Sequence, residues 1–108
     1  MAITIDQFKE VEIKVGTVKH AERVPESDKL LRLEVDFGEP GVRQILSGIA
    51  EFLGPEELIG RQFPFVTNLE PRVIRGLVSN GMILALGEAD TFSLLTPTKS
   101  VAPGSRIR

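Results

Sequence analysis

The sequence contains no cysteine, no tyrosine and no tryptophan, and it has a single histidine. Without cysteine there is neither a disulfide framework nor a thiolate metal site, which is typical of a reducing compartment. No apolar run approaches the roughly 18–20 residues that span a bilayer, and the first residues lack the basic start and apolar stretch of a signal peptide. These absences favour a cytoplasmic protein.

A basic excess is missing as well, because 13 Lys and Arg residues stand against 15 Asp and Glu residues and the net charge is -2. Proteins that bind nucleic acid usually carry such an excess, so any such site must be a local patch on a mixed surface. The hydrophobic fraction of 42% and the charged fraction of 26% are ordinary for a globular protein. A length of 108 residues predicts one domain, covering residues 1–108.

The residue types that most often carry catalysis form no convincing constellation. His20 has no serine or cysteine nucleophile that the sequence pairs with it, so a surface histidine is the simpler interpretation. Glu56 and Glu57 are explained by the start of a helix, where acids are favourable. The segment 88–90 is a single acidic turn without a partner histidine. We therefore expect no enzyme activity, no metal and no cofactor.

Short β-rich runs alternate with turn residues, which predicts many short strands. In the second strand, Leu31, Leu33, Val35 and Phe37 share one face, while Arg32, Glu34 and Asp36 share the other. A turn over 38–41 joins strands two and three, and Pro55 followed by two acids and Gly60 predicts a short helix over 54–60. The predicted strands cover residues 11–24, 30–37, 42–49, 61–68 and 79–86, and short candidates cover 92–95 and 106–107.

Three further expectations concern strand details. The apolar parity of the first strand flips after Gly16, which predicts a β-bulge there. Pro64 cannot donate to a ladder, so its nitrogen should face an edge or a bulge. The run 79–86 is apolar on both parities and predicts burial on both sides. The strand order predicts an all-β, five-stranded OB-fold, a Greek-key barrel with one short helix between strands 3 and 4, followed here by a C-terminal extension.

An OB-fold binds its ligand on the face of strands two and three, beside the loops that join strands one to two and four to five. Those loops would span 24–29 and 69–78. The first is explained by a turn with a solvated Lys29. The second contains Arg72 and Arg75, whose guanidinium groups suit phosphates, and Gly76, which lets a ligand approach the backbone. On these residues alone, a phosphate-binding loop and a plain β-turn followed by a glycine-kinked strand explain the segment equally well.

The residues also match a known family from about Asp6 to Ile107. The matching segments are Val11-Glu12-Ile13-Lys14-Val15-Gly16, Asp28-Lys29-Leu30-Leu31, the run 43–49, Asn68-Leu69 with Pro71 and Gly76, and Ser79 with Gly81-Met82-Ile83-Leu84-Ala85. The sequence resembles the stand-alone tRNA-binding proteins and the equivalent domain appended to methionyl-tRNA synthetases. The resemblance implies a non-catalytic, homodimeric OB-fold that binds tRNA by shape, either free-standing or as a synthetase domain.

The resemblance also implies the binding residues, which are Lys29, Ser47, Asn68, Arg72, Arg75, Ser79 and Met82. The cations would neutralise phosphates, the polar side chains would bond sugar or phosphate, and Met82 would support that surface or pack in the core. Glu70 and Val73 stand where the family often has basic residues, which predicts weakened binding. The segment 92–108 exceeds a minimal barrel and is expected to pack across a two-fold interface.

Two other functions fit parts of the sequence. A related bacterial branch, described as an export chaperone, shares the fold and the dimer, so a protein-interaction module is the main alternative. That branch typically loses the Ser-x-Gly-Met signature that residues 79–82 keep, which favours tRNA. A generic single-strand binder would stack bases on exposed aromatics, whereas Phe37, Phe63 and Phe65 are predicted to lie in the core.

Overall fold

The computed structural model describes all of residues 1–108. It contains nine short strands, one α-helix (α1, Ile5–Lys9) and two 3-10 helices, at Pro55–Glu57 and Ala89–Thr91. The strands are β1 Ile13–Arg23, β2 Leu31–Asp36, β3 Arg43–Ser47, β4 Gln62–Val66, β5 Arg72–Ile74, β6 Leu77–Ser79, β7 Met82–Ile83, β8 Ala85–Leu86 and β9 Ser93–Leu94.

Five strands form one antiparallel sheet in the order β3-β2-β1-β4-β7. The two edges of this sheet approach each other because the chain between β6 and β7 bonds to β3: the Asn80 amide donates to the Gln44 carbonyl at 2.8 Å. The sheet therefore curls into a nearly closed barrel. The predicted five-stranded OB-fold is confirmed.

The barrel interior is filled by the face of β2 that the alternation predicted. Leu31, Leu33 and Val35 are completely buried, and the rings of Phe37 and Phe65 meet edge to face with their centroids 5.3 Å apart. The same core contains Val18, Ala21, Ile45, Ile49, Ala50, Leu58, Phe63 and Ile83. Leu58 follows the first 3-10 helix directly, so this helix closes one end of the barrel. Because all three predicted core phenylalanines are buried, no aromatic ring of the barrel strands is available to stack on a base.

The predicted bulge at Gly16 is wrong. The register of β1 against β2 shifts between Val18 and His20 instead, and Gly16 pairs in regular register with Phe63 of β4. Gly16 and Val18 face the core, whereas Val15 is buried on the outer face, where its amide donates to Ser105 of the C-terminal segment. The apolar parity flips because this segment covers the outside of β1. Gly16 itself is required because a Cβ there would lie 2.6 Å from the Phe37 ring.

The predicted fifth strand is broken into pieces, and it is not buried on both sides. Gly81 has a φ of 138° and separates β6 from β7. The ladder between β4 and β7 ends at Ile83, because the next residue on β4 is Pro64, which accepts a hydrogen bond from Leu84 but has no N–H to return. Pro64 therefore lies at the end of a ladder, in line with the expectation from its missing donor. Met82, Ala85 and Leu86 are exposed.

The helices differ from the prediction in length and number. The segment 54–60 contains one 3-10 turn, Pro55–Glu57, instead of a helix over its full length. Helix α1 was not predicted, although Thr4 and Gln7 form a complete capping box at its start. No helix of the structure is long and apolar enough to cross a membrane.

Candidate nucleic-acid interface

The second predicted loop folds into a β-hairpin, which we call the arginine hairpin (residues 72–79). Strands β5 and β6 pair Arg72 with Ser79 and Ile74 with Leu77. The two residues of the turn, Arg75 and Gly76, have φ values of 51° and 77°. Positive φ at both central residues defines the tight turn that matches the twist of two strands. The hairpin therefore holds one arginine at its tip and one at its base.

Ser79 fixes the base of the arginine hairpin to the barrel. Its hydroxyl accepts a hydrogen bond from the Leu46 amide at 3.0 Å and donates to the Gly81 carbonyl at 3.3 Å. The residue is buried, so these bonds are shielded from water. Both functions of the hydroxyl are used within the protein. The structure thus places Ser79 as a latch between β3 and the hairpin, with its side chain buried.

The residues around this latch reinforce it. The Gln44 side chain donates to the Val78 carbonyl at 2.8 Å, while its backbone carbonyl accepts from Asn80. A Cβ at Gly81 would lie 2.9 Å from Ile45 Cδ1, so the chain can pass this close to the barrel only as glycine. The orientation of the hairpin over the outside of β3 is therefore specified by several short polar contacts and one glycine.

The arginine hairpin and the first predicted loop meet at a common cleft. The cleft has a volume of about 230 Å³ and is lined by Glu22, Arg23, Val24, Pro25, Arg32 and Leu77. Leu77 comes from the hairpin, and Val24 and Pro25 begin the first loop. The hairpin that joins barrel strands β4 and β7 therefore lies on the same side of the barrel as the loop between β1 and β2. This is the arrangement that an OB-fold predicts.

Three cations near these loops are available for a ligand. The guanidinium groups of Arg72 and Arg75 make no ion pair and no hydrogen bond within the chain, and Lys29 has a side chain that is 75% exposed, with Glu51 no nearer than 4.0 Å. Most other arginines are engaged internally. Arg23, Arg43, Arg61 and Arg106 donate to backbone carbonyls, and Arg32 and Arg43 form ion pairs with carboxylates.

The remaining predicted binding residues are spread over different surroundings. Asn68 ties the chain before β1 to the end of β4: its side-chain oxygen accepts from the Glu12 amide at 2.8 Å, and its side-chain nitrogen donates to the Glu10 carbonyl at 2.7 Å. Ser47 lies half-buried at the end of β3, and Met82 is exposed on β7. Like Ser79, Asn68 uses its polar atoms to hold the barrel together.

The outer face of the sheet beside the hairpin carries an ionic cluster around Arg32, which sequence reasoning did not assign to any function. The Arg32 guanidinium is 2.6 Å from a Glu22 oxygen and 2.9 Å from a Glu34 oxygen, and its third nitrogen donates to Gln44 at 3.2 Å. The hydrogen bond from Arg32 lowers the pKa of Glu22 below its ordinary value, so this carboxylate is ionised at neutral pH. The alternation of charged residues in β2 was the only sequence signal for this cluster.

No arrangement suited to catalysis accompanies these residues. No group of three or more His, Cys, Asp or Glu residues is placed to hold a metal ion. His20 is half exposed, and its nearest carboxylate oxygen, from Glu22, lies 3.9 Å away. The chemistry that the site can offer is attraction of anions by guanidinium and ammonium groups.

A small OB-fold barrel with free arginines on the hairpin between β4 and β7 has the architecture of a binding domain. The chain belongs to the tRNA-binding domain family: the family model described as "Putative tRNA binding domain" matches residues 13–106.

Relatives in sequence and in structure agree with this family. The chain is 55% identical over 106 residues to part of a methionine–tRNA ligase of Methanoregula boonei, and 50% identical over 105 residues to part of that of Helicobacter pylori. It covers 16% of the length of each of these ligases. The structure superposes on a crystal structure of a MetRS-related protein from Pyrococcus horikoshii with a TM-score of 0.93 and 38% identity, covering 100% of this chain and 99% of the other. It also superposes on chaperone CsaA from Bacillus anthracis with a TM-score of 0.87 and 34% identity, covering both chains completely.

Proposed function

We propose that the chain binds tRNA, without catalysing a reaction on it, through the arginine hairpin and Lys29. The observation that carries this proposal is the pair of unpaired guanidinium groups, Arg72 and Arg75, on a hairpin whose base is fixed to the barrel. A guanidinium that has no internal partner can bind phosphate without first breaking a contact. Phosphates carry no sequence information, so these residues would recognise the shape of the RNA backbone and accept many tRNA sequences.

The small number of free cations limits the strength of this binding. If Lys29, Arg72 and Arg75 each neutralise one phosphate, the logarithm of the binding constant should fall with the logarithm of the salt concentration with a slope of about -2 to -3. Glu70 and Val73 add no positive charge to the same loop. Moderate affinity with a shallow salt slope is therefore the expected signature.

A titration with mixed tRNA, unstructured RNA and duplex DNA at two salt concentrations tests this function. The wild-type chain should prefer tRNA. Replacing both hairpin arginines, Arg72→Ala with Arg75→Ala, should weaken binding and make the slope shallower by about 1.5–2. The matched control replaces two exposed cations away from the hairpin, Lys19→Ala with Lys99→Ala, which changes the net charge equally. Equal effects of the two double variants would place the site elsewhere, and no preference of the wild type for tRNA would reject the function.

The chain is also proposed to act as a homodimer, and the supporting feature is an exposed apolar patch on helix α1. Ile5 is 66% exposed, and Ile5, Phe8 and Val11 border a cavity of about 370 Å³ together with Ile107 of the C-terminal segment. Helix α1 buries none of its residues within one chain, and a helix of five residues is not stable alone in water. A second copy would cover this face, which extends the expected two-fold contact from the segment 92–108 to the N-terminus.

Light scattering measures this assembly directly. The wild type should have twice the mass of the chain, and Phe8→Glu should shift the mass to that of one chain because it places a charge within the apolar patch. Val42→Glu, on the turn between β2 and β3, is the control and should leave the mass unchanged. A wild type that runs as a single chain at micromolar concentration would reject the dimer.

The partner that the relatives suggest is a methionyl-tRNA synthetase. Because the chain matches 98% of its own length within a methionine–tRNA ligase, we propose that it supplies additional tRNA affinity to such an enzyme, in the same polypeptide or as a separate subunit in the cytoplasm. A synthetase body lacking this domain should charge methionine tRNA with a raised KM for tRNA and regain a low KM when the chain is joined to it. An unchanged KM would argue against this role.

A protein-interaction role is the second candidate, because the arginine hairpin also exposes apolar side chains. Val73 is 72% exposed and pairs across the hairpin with the exposed Val78. The chaperone CsaA has the same overall structure. If this pair binds unfolded protein, Val73→Ser should reduce suppression of aggregation of a denatured test protein while leaving tRNA affinity intact. If Val73→Ser lowered tRNA affinity but left the suppression of aggregation unchanged, the chaperone role would be rejected.

A further inference from the structure

The outer face of β1 and β2 carries more acid than base, and it adjoins the face of β2 and β3 over which an OB-fold commonly binds single-stranded nucleic acid. Glu22 of β1 pairs in register with Arg32 of β2, and His20 pairs with Glu34. These side chains point away from the core, since Ala21 between His20 and Glu22 is buried and so are Leu31, Leu33 and Val35, which alternate with Arg32 and Glu34. We call Glu22, Arg32 and Glu34 the sheet-face cluster. It contains two carboxylates and one cation.

The one cation of the sheet-face cluster is not free for phosphate. Each of the three nitrogens of the Arg32 guanidinium donates to a protein oxygen, of Glu22, Glu34 or Gln44, and its side chain is only 21% exposed. A phosphate could bind it only by displacing a carboxylate. The free oxygen of Glu22 and the remaining oxygen of Glu34 would meanwhile repel the approaching anion.

We propose that Glu22 and Glu34 are specificity residues that keep the phosphates of a single strand away from the sheet face and so confine RNA to the arginine hairpin and Lys29. This inference rests on the proposed tRNA function and adds to it the basis for rejecting unstructured RNA. A single strand gains affinity by lying in a basic groove and stacking on aromatic rings, and this face offers neither. A folded tRNA can contact the hairpin and the first loop from outside, without laying its backbone across the sheet.

The sheet-face cluster lies close enough to the hairpin to act on the same ligand. Glu22 and Arg32 line the cleft that Leu77 of the hairpin also lines. At physiological salt an exposed charge acts over roughly 8 Å, so a phosphate entering this cleft is within range of both carboxylates. Arg75 at the hairpin tip and Lys29 in the first loop do not line this cleft. The cluster therefore opposes one path of the RNA backbone and permits another.

The test is the double variant Glu22→Gln with Glu34→Gln, measured against an unstructured uridine homopolymer and mixed tRNA at low and high salt. Glutamine keeps an oxygen that can accept from Arg32, so the fold should persist. Affinity for the homopolymer should rise between about twofold and about thirtyfold at low salt, the range for two exposed charge interactions. Affinity for tRNA should rise less, so selectivity should fall, and high salt should remove most of the gain.

The matched control is Glu56→Gln with Asp90→Asn, which changes the net charge equally on other exposed positions. An equal gain in the control, or no gain in the cluster variant, would overturn the proposal. Should the double variant not fold, Glu34→Gln alone keeps the Glu22–Arg32 pair, and its affinity for the homopolymer decides in the same way. The homopolymer series tests the cluster independently of the wild-type preference for tRNA, so a failure of one proposal is distinguishable from a failure of the other.

Discussion

Replacing Ser79 by alanine tests whether this residue binds RNA or holds the arginine hairpin in place. The substitution removes the hydroxyl that accepts from the Leu46 amide at 3.0 Å. Ser79 and Leu46 are both buried, so the variant takes the hydroxyl acceptor away from a buried N–H. Such a loss costs about 1–3 kcal/mol. For a domain of this size, each kcal/mol lowers the unfolding midpoint by roughly 4–8 °C.

Urea unfolding measures this loss, and hydrogen exchange locates it. The amides of Leu46 and Asn80 should lose protection first, since both lie at the junction between β3 and the hairpin. Ser79→Thr keeps a γ-hydroxyl and should recover much of the stability, which makes it the matched control. A Ser79→Ala variant within about 0.5 kcal/mol of the wild type would refute the latch, because that is the effect of an ordinary surface substitution.

The same variant has a distinct signature in binding. If Ser79 acts only by orienting the hairpin, its removal weakens tRNA binding in the wild type but has no further effect once Arg72 and Arg75 are alanine. If the hydroxyl contacts RNA, the two losses of binding free energy add. A double-mutant cycle therefore distinguishes the two roles, and additivity would support Ser79 as an RNA contact, as the family resemblance implies.

Three further outcomes follow from the structure. Gly81→Ala should destabilise the fold by about 1–3 kcal/mol because its added methyl group meets the barrel at a positive φ, whereas Gly48→Ala, which has open space, should be tolerated in the same urea titration. Asn68→Ala should lower stability by about 1–3 kcal/mol, through the loss of two backbone contacts, and should leave tRNA affinity unchanged under conditions where the variant is folded; a loss of affinity in the folded variant would show that Asn68 contacts RNA. Hydrogen bonds from Thr67 and Arg43 lower the pKa of Glu12 and Glu39 from 4.5, so their contribution is present above that pH and lost as the pH falls through the folded values; the decline in stability on acidification should be smaller in the Glu12→Gln, Glu39→Gln variant.

The second strand shows what a sequence pattern predicts well. Leu31, Leu33 and Val35 alternate with charged residues, and the alternation depends only on the pleat of the strand. Their burial could therefore be predicted without knowing any neighbour. The first strand shows the opposite case. Val15 is buried by the C-terminal segment, about ninety residues later in the chain, and no local pattern distinguishes this cover from the bulge that was predicted at Gly16.

The binding residues could be predicted only as far as their chemistry. Arginines on a loop suggest anion binding wherever they occur, and the structure leaves Arg72 and Arg75 free of internal partners. A serine or an asparagine is ambiguous in a sequence, because the same hydroxyl or amide serves a ligand or the backbone. Ser79 and Asn68 prove to have their polar atoms engaged within the barrel, and the direction in which a polar side chain points is a tertiary property.

The distribution of charge explains how a chain with a net charge of -2 can belong to a family that binds a polyanion. Acids outnumber bases, but several acids form ion pairs with neighbouring arginines. Glu22 and Glu34 pair with Arg32, and Glu39 pairs with Arg43. Net charge sets the field at long range, whereas phosphate binding at short range depends on cations that have no partner. The low total therefore predicts slow electrostatic attraction and moderate affinity. It does not argue against a local contact at a hairpin whose arginines are unpaired.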